Sequence, residues 1–551
     1  MDGSESTKAV KPTEPESTPR RTRMGWMPLV LVALAAVGIW AVWQTELERD
    51  VKIIARTLII AVAAVGCGFW FLTCTPFSKT VRYAVVIVPA LLVMVFLVAF
   101  KPEHDGDVNF QWLDVSRYQF RWGAHPDEGM EVPDAKEVAV GWERTPYDYP
   151  RFLGEGGRAK AANVHLATDW ELHPPEELWR REIGAGWSGF AVVGDYAITQ
   201  EQRGENEMVV CYRVADGSIV WTHTDQTRFD SSHFTGQFGD VGPRATPSIH
   251  DGKVVTHGAT GIVNCLDAQT GEVIWSHDTL RELGGENVHW GKSNSPLIVD
   301  GKVVISVGAP GGKSLVAYDL ESGEIVWTAG NHRSSYASPV LATIAGIEHV
   351  ISVDENYVTG VRADNGSPLW EYDWPGSSGS NASVSQPVPV SGDRVFLSKG
   401  YGVGAELIKI NRGEDGKLVP ERIWKSQRVM KTKMTNVVID EGYVYGLDSG
   451  ILQCIELDTG TEMWKSRRGR YGHGQILLAG DVIVVMTEME GDVVLVRAAP
   501  EQFEELARHH VFEKGQKTWN TPALAGPFLL LRNDEVAACL RLPLEEDQAR
   551  P

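Results

Sequence analysis

Apolar positions follow two regimes along this chain. Over the first hundred residues they form unbroken runs: Met27–Trp43, Thr57–Thr73 and Tyr83–Phe100 are each 17 or 18 residues long and carry no charge. At about 1.5 Å of rise per residue, such runs nearly match a hydrocarbon core, so the pattern predicts three transmembrane helices within residues 27–100. No A-x-A-like cleavage site follows the first run, which sets it apart from a secretory signal. Beyond Phe100 the runs give way to short stretches in which apolar and polar residues alternate, the pattern of half-buried strands, separated by turns containing glycine.

A repeat organises these strands. The segments CYRVADGSIVW, CLDAQTGEVIW, AYDLESGEIVW, GVRADNGSPLW and CIELDTGTEMW end at Trp221, Trp275, Trp327, Trp370 and Trp464. Each carries a glycine four residues earlier, at Gly217, Gly271, Gly323, Gly366 and Gly460. A glycine there supplies the positive φ that reverses the chain, so each segment is a hairpin whose second strand bears the indole. Another strand pair precedes each hairpin, as in SPLIVDGKVVISVGAP, making a unit of four antiparallel strands. The anchors recur 43 to 54 residues apart, with one further unit, ending at Trp424, in the longer gap before Trp464. Four strands at this period are propeller blades. Eight are expected, with cores at 187–223, 242–278, 290–330, 335–374, 381–427, 431–469, 472–509 and 517–543. The last has three strands of its own. The unmatched early strand EELWRREI, with Trp179 in the anchor position, is expected to complete it and close the ring.

The predicted architecture is therefore an all-β, eight-bladed propeller at 171–545, preceded by three transmembrane helices. A disordered basic tail at 1–26, an irregular linking or packing segment at 101–170 and a short C-terminal tail at 546–551 complete it. Arg20, Arg21 and Arg23 before the first helix, with Lys79 and Arg82 between the second and third, place those flanks in the cytoplasm by the positive-inside rule. The loop Gln44–Arg56 sets Glu46, Glu48 and Asp50 against Arg49, Lys52 and Arg56 and carries no competing basic excess. A multi-pass inner-membrane protein with a periplasmic propeller is the expected result.

Composition changes this picture in two ways. The 56 glycines and 19 tryptophans agree with many short strands and a repeated aromatic position. The net charge of −20 and the sequence pI near 5.3 exclude nucleic acid as the expected partner, because phosphate binding needs clustered Lys and Arg.

The hairpins LDAQTGEVIW, YDLESGEIVW and ELDTGTEMW resemble the repeats of the pyrroloquinoline quinone (PQQ) propeller superfamily. So do the blade starts Thr246-Pro247, Ser295-Pro296 and Ser338-Pro339. The resemblance covers about residues 176–543. It implies that Trp179, Trp221, Trp275, Trp327, Trp370, Trp424 and Trp464 are structural, each indole docking between neighbouring blades. The superfamily holds both quinoprotein dehydrogenases and non-catalytic propellers of the outer-membrane assembly-factor type. The adjacent cysteines stacked over the quinone in many of the enzymes are missing here, as is any C-x-x-C-H haem site. Calcium ligands and a catalytic Asp of the membrane-bound glucose dehydrogenases, which also place helices before a propeller, find no match residue by residue.

Candidate chemistry lies at the blade starts, which feed the innermost strands and so line the channel mouth. Arg244, Lys292, Asn294, Lys433, Asn436, His473, Gln475, Trp519 and Asn520 are expected to converge there as a ligand-binding funnel, with Trp290, His289 and His332 nearby. Polar side chains at such positions also serve exposed backbone. Cys211, Cys265, Cys454 and Cys539 share one repeat position with Ala317 and Gly360, which marks a small-volume packing site rather than a metal site. No G-x-S-x-G, Walker or H-E-x-x-H pattern occurs. The leading expectation is a non-catalytic platform without cofactor or metal that binds an envelope protein or component; the alternative is a membrane-bound dehydrogenase using PQQ with calcium on an alcohol or sugar.

Overall fold

The computed structural model describes residues 25–45, 47–102, 106–107, 118–120, 126–161, 163–231, 241–377, 379, 381–467 and 469–545. The expected tail up to residue 24 and residues 546–551 lie outside them. The chain forms two compact units, Met1–Lys101 and Pro102–Pro551.

In the first unit the apolar runs are helices at Met27–Trp43, Arg49–Cys74 and Lys79–Ala99. The second and third are long and apolar enough to cross a membrane, whereas the first, at 17 residues, is shorter. The expected loop Gln44–Arg56 is helical from Arg49, and the last helix starts at Lys79 rather than Tyr83. Arg and Lys are good helix formers, so charges that bound an apolar run need not bound its helix. The Ser78 hydroxyl caps the last helix by accepting from the Val81 N–H.

The second unit is built from eight sheets, seven of four strands and one whose four strands gain a fifth from outside the repeats. Blades 1 to 8 begin at Ala191, Ser248, Leu297, Val340, Val388, Val438, Gln475 and Ala523. First strands of neighbouring sheets touch one another along a shared axis, among them blade 8 with blade 1. Blade 8 is completed by Glu176–Glu182, which pairs antiparallel with Val536–Arg541 and sets Trp179 opposite Cys539. The ends of the propeller sequence thus share one sheet, as its incomplete last repeat required.

The repeat's residues meet across blade boundaries. Trp179, Trp221, Trp275, Trp327 and Trp424 lie against Gly217, Gly271, Gly323, Gly366 and Gly460 of the following blade. Their indole N–H groups donate to Val214, Ala268, Leu320, Ala363 and Leu457, each three residues before that glycine, at 2.7–3.3 Å. Trp464 makes the same bond to Ala499 at 2.8 Å. Trp370 differs. Blade 5 presents a long hairpin, Gly404–Arg412 with Leu418–Ser426, and the Trp370 indole packs over its own cross-strand partner Gly360. The cysteine position is likewise the cross-strand partner of the indole: Cys211 faces Trp221, Cys265 faces Trp275 and Cys454 faces Trp464. A small residue there leaves room for the ring, and the cysteines are free thiols.

The Thr-Pro and Ser-Pro starts form a second seam nearer the axis. The Gly189 N–H donates to Thr246 Oγ1, the Thr246 N–H to Ser295 Oγ and the Ser295 N–H to Ser338 Oγ, at 2.8–3.1 Å. Each hydroxyl therefore takes a backbone donor from the blade before it.

The segment expected to pack on the propeller does so, with the buried Asp127 paired to Arg228 of the propeller at 2.6 Å. It bonds the outer strand of blade 1 through Thr222 N–H to Ala135 O. It then crosses the end where first and second strands turn, with Tyr149 bridging to Val192. Lys160–Ala161 adds a short parallel strand to Leu478–Ala479.

Blade 3 supplies an internal control for the indole contact. Gly301 and Gly323 have φ of 69° and 73°, but a Cβ would meet nothing within 4 Å at Gly301 and the Trp275 ring at 2.7 Å at Gly323. Gly301→Ala is expected to cost about 1 kcal/mol from backbone strain alone. Gly323→Ala adds about 1–3 kcal/mol of overpacking. Equal shifts in the denaturation midpoint would contradict the wedge.

Candidate functional site

The loops entering each first strand and the ends of each second strand share one face of the ring, the funnel face. Charged side chains are buried there: Glu201, Lys399, Asp448 and Arg532 at second-strand ends, Glu488 just beyond one, and Lys292, Lys433 and His473 in the loops. Burying a charge is costly unless it is paired, so the pairs define what the face can do.

Three expected funnel residues converge. Lys433 precedes blade 6, His473 precedes blade 7 and Trp519 precedes blade 8. Lys433 and His473 meet around a group from outside the repeats, the carboxylate of Asp107, itself 1% exposed, and Trp519 joins the cluster through Glu488. Asp107 Oδ1 lies 3.0 Å from both Lys433 Nζ and His473 Nε2, and Oδ2 lies 2.5 Å from an Arg470 guanidinium nitrogen. Burial opposes ionisation of Asp107, yet His473, Lys433 and Arg470 together hold its carboxyl well below the usual carboxylate range. Glu488 completes the cluster. Its Oε1 accepts from the Gly106 N–H at 2.6 Å and the Trp519 indole N–H at 2.7 Å, and its Oε2 from the His473 N–H at 2.9 Å. Trp519 packs on Trp187 at 5.0 Å between centroids, with the Lys517 ammonium over its ring.

The other expected residues lie elsewhere or serve the backbone. Arg244 lies over the Phe229 ring at 4.8 Å and donates to Gly242 O. Lys292 is fully buried between blades 3 and 4, its ammonium nitrogen bonding Val307 O at 2.6 Å and Ser334 Oγ at 2.7 Å; burial pushes its pKa down to about 7. Asn294 exchanges bonds with Ser306, Asn436 accepts from the Gln386 N–H, and Asn520 donates to Gly186 and Ser188. Gln475 donates to the carbonyls of Met434 and Trp519, bracing two walls of the cluster. His332 pairs with Glu371 at 2.7 Å, and His289 stacks edge-on against Trp290.

Asp107, Arg470 and Glu488 are the members that sequence reasoning missed. A signal existed for Glu488, since several second strands end on a charge within an otherwise apolar run. None existed for Asp107, which lies outside the repeats.

An eight-sheet ring with indole seams and a polar funnel defines a class, and the domain is similar to the PQQ-like propeller superfamily. Residues 205–466 match the PQQ_2 family model, described as outer membrane protein assembly factor BamB. The chain is 24% identical over 328 residues to the assembly factor BamB of Burkholderia pseudomallei, covering 57% of this chain and 75% of that protein. It is 31% identical over 150 residues to the quinohemoprotein alcohol dehydrogenase ADH-IIG of Pseudomonas putida, spanning 24% of this chain but only 20% of that protein. A europium-containing methanol dehydrogenase shares the fold with a TM-score of 0.54 at 13% identity, covering 73% of this chain and 99% of that one.

PQQ is a planar tricarboxylate that needs cationic groups and an open flat slot. Lys433, Arg470 and His473 are the right donors, but the Asp107 carboxylate already engages all three. A Cβ on Gly106 would come within 2.6 Å of His473, so the segment fills the space before them. This arrangement does not fit the quinone.

Blade 1 carries a titratable group whose effect on stability has a definite sign. Glu207 is buried, accepts from the Ala259 N–H at 3.1 Å, and burial pushes its carboxyl from 4.5 up to about 8. Between those values the folded chain holds a proton that the unfolded chain has released, so stability falls as pH rises through the window. Glu207→Gln is expected to remove this fall, gaining on the wild type by on the order of a few kcal/mol at pH 8 relative to pH 4.5. Parallel denaturation curves for the two proteins across that range would contradict it.

Proposed function

We propose that the protein is a membrane-held binding platform. In this reading the three N-terminal helices cross the inner membrane, with the N-terminus in the cytoplasm and the propeller in the periplasm. The propeller offers its funnel face to a protein or component of the cell envelope and performs no chemistry of its own. The observation that carries the reading is the cluster of Lys433, Arg470 and His473 closed around one carboxylate, an arrangement built for anion recognition. The match to the assembly-factor family model and the acidic chain, which disfavours nucleic acid, support it. Indole bonds across six of the blade boundaries keep those sheets in fixed relation and so support a rigid face, as a binding surface requires.

The dehydrogenase reading is favoured by one observation, the local identity to ADH-IIG. Two measurements on the full chain separate the readings. A photo-crosslinking amino acid in place of Trp519 is expected to capture one envelope protein in cells. PQQ with calcium, added to the detergent-solubilised protein, is expected to leave alcohols and sugars unoxidised. A bound quinone chromophore with dye reduction would contradict the platform.

Topology is tested separately. The propeller cysteines are buried, so Asp458→Cys, on an exposed turn, provides a reporter of low background. A membrane-impermeant maleimide is expected to label it in spheroplasts; labelling only after lysis would place the propeller on the other side.

A further inference from the structure

The seated Gly106–Asp107 dipeptide shows what the cluster is shaped to recognise. Three features are read at once. The carboxylate is held by two side chains that are 1–2% exposed, Lys433 and His473, and by Arg470 at the rim. The backbone N–H one residue earlier is taken by Glu488 at 2.6 Å. That preceding residue must be glycine, because a Cβ would stand 2.5 Å from Met434 Cε and 2.6 Å from His473 Cδ2. A free carboxylic acid satisfies only the first of these features, whereas a Gly-Asp step in a peptide satisfies all three.

We propose that Lys433, Arg470, His473 and Glu488 form a receptor for a Gly-Asp step in an acidic segment of a partner protein, and that the chain's own Gly106–Asp107 occupies this receptor in cis. The proposal rests on the platform reading and adds the ligand chemistry and its control: a partner must compete with a tethered copy of its own recognition element. Tethering gives the internal copy an effective concentration that a free partner must exceed, so occupancy in trans has a built-in threshold. Charge complementarity fixes the ligand as acidic, and Glu488, the anion of the cluster, meets a backbone donor rather than a second carboxylate.

The test uses the full chain in detergent and a fluorescent peptide copying residues 103–109, Glu-His-Asp-Gly-Asp-Val-Asn, read by anisotropy. Wild type is expected to bind it weakly. Gly106→Leu, whose side chain runs into Met434 and His473, evicts the internal copy and should tighten binding at least tenfold. Adding Arg470→Gln to that variant should reverse the gain. Asp107→Asn keeps the segment's size while removing its charge and should tighten binding at least threefold, which covers the case of a misfolded Gly106→Leu. A peptide whose second Asp is replaced by Asn should bind at least tenfold more weakly, and succinate should not compete at concentrations where unlabelled peptide does. Either of two results would overturn the proposal: no gain in any folded variant, or succinate competing as well as the peptide. Because no partner is present, peptide binding without any cellular cross-link would sink the platform reading alone.

Discussion

The structure depends on one contact, an indole of one sheet laid against the glycine turn of the next. Flat sheets have no intrinsic reason to stop at a particular angle to one another. A large rigid ring whose N–H must reach one carbonyl fixes both the separation and the inclination of neighbours. Trp221 shows the constraint in full: it is completely buried, bonded to Ala268 and pressed on Gly271. Repeated around the axis, such a contact leads the chain back to its beginning, and Glu176–Glu182 completes the sheet that Val536–Arg541 leaves open. Blade 7 carries Ala507 where the indole would stand, and blade 5 marks a second limit of the rule. Its long hairpin offers no glycine in the required place, and Trp370 turns instead onto Gly360.

The funnel is a consequence of this ring. Lys433, Arg470, His473, Glu488 and Trp519 come from three successive blades, and the Glu488 segment ties the loops on either side of it through Glu488 N–H to Tyr471 O and Thr518 N–H to Glu488 O. The arrangement of blades 6, 7 and 8 brings Lys433, Arg470 and His473 to the Asp107 carboxylate and Trp519 to Glu488. A polar network so deeply buried is stable when its donors are answered, and Asp107 accepts from three of them.

The ring was legible because its cause is periodic. Glycine four residues before tryptophan is a local rule repeated often enough to reveal the blades, the closing strand and the small residues opposite each ring. Helix limits were less legible, because Arg49, Asp50 and Lys52 read as a loop yet extend the second helix. The funnel was legible by half. Lys433, His473 and Trp519 follow from their place before a first strand, but so do Asn294, Asn436 and Asn520, which bond backbone. Position in a repeat says which residues face the mouth and not which of them meet. Asp107 lay beyond any such rule, since its pairing crosses more than three hundred residues of sequence.

Closure of the ring by its first strand is the claim on which the site's assembly rests, and a disulfide measures it. Glu182 and Val536 are cross-strand partners at the end of the closing pair. In the full chain carrying Glu182→Cys and Val536→Cys, mild oxidation should yield an intramolecular disulfide between these positions, found by mass spectrometry of the linked peptides and formed faster than any cross-link between chains. Free thiols at both positions, or links only between chains, would mean that the last blade is completed some other way and that the ring described here does not close.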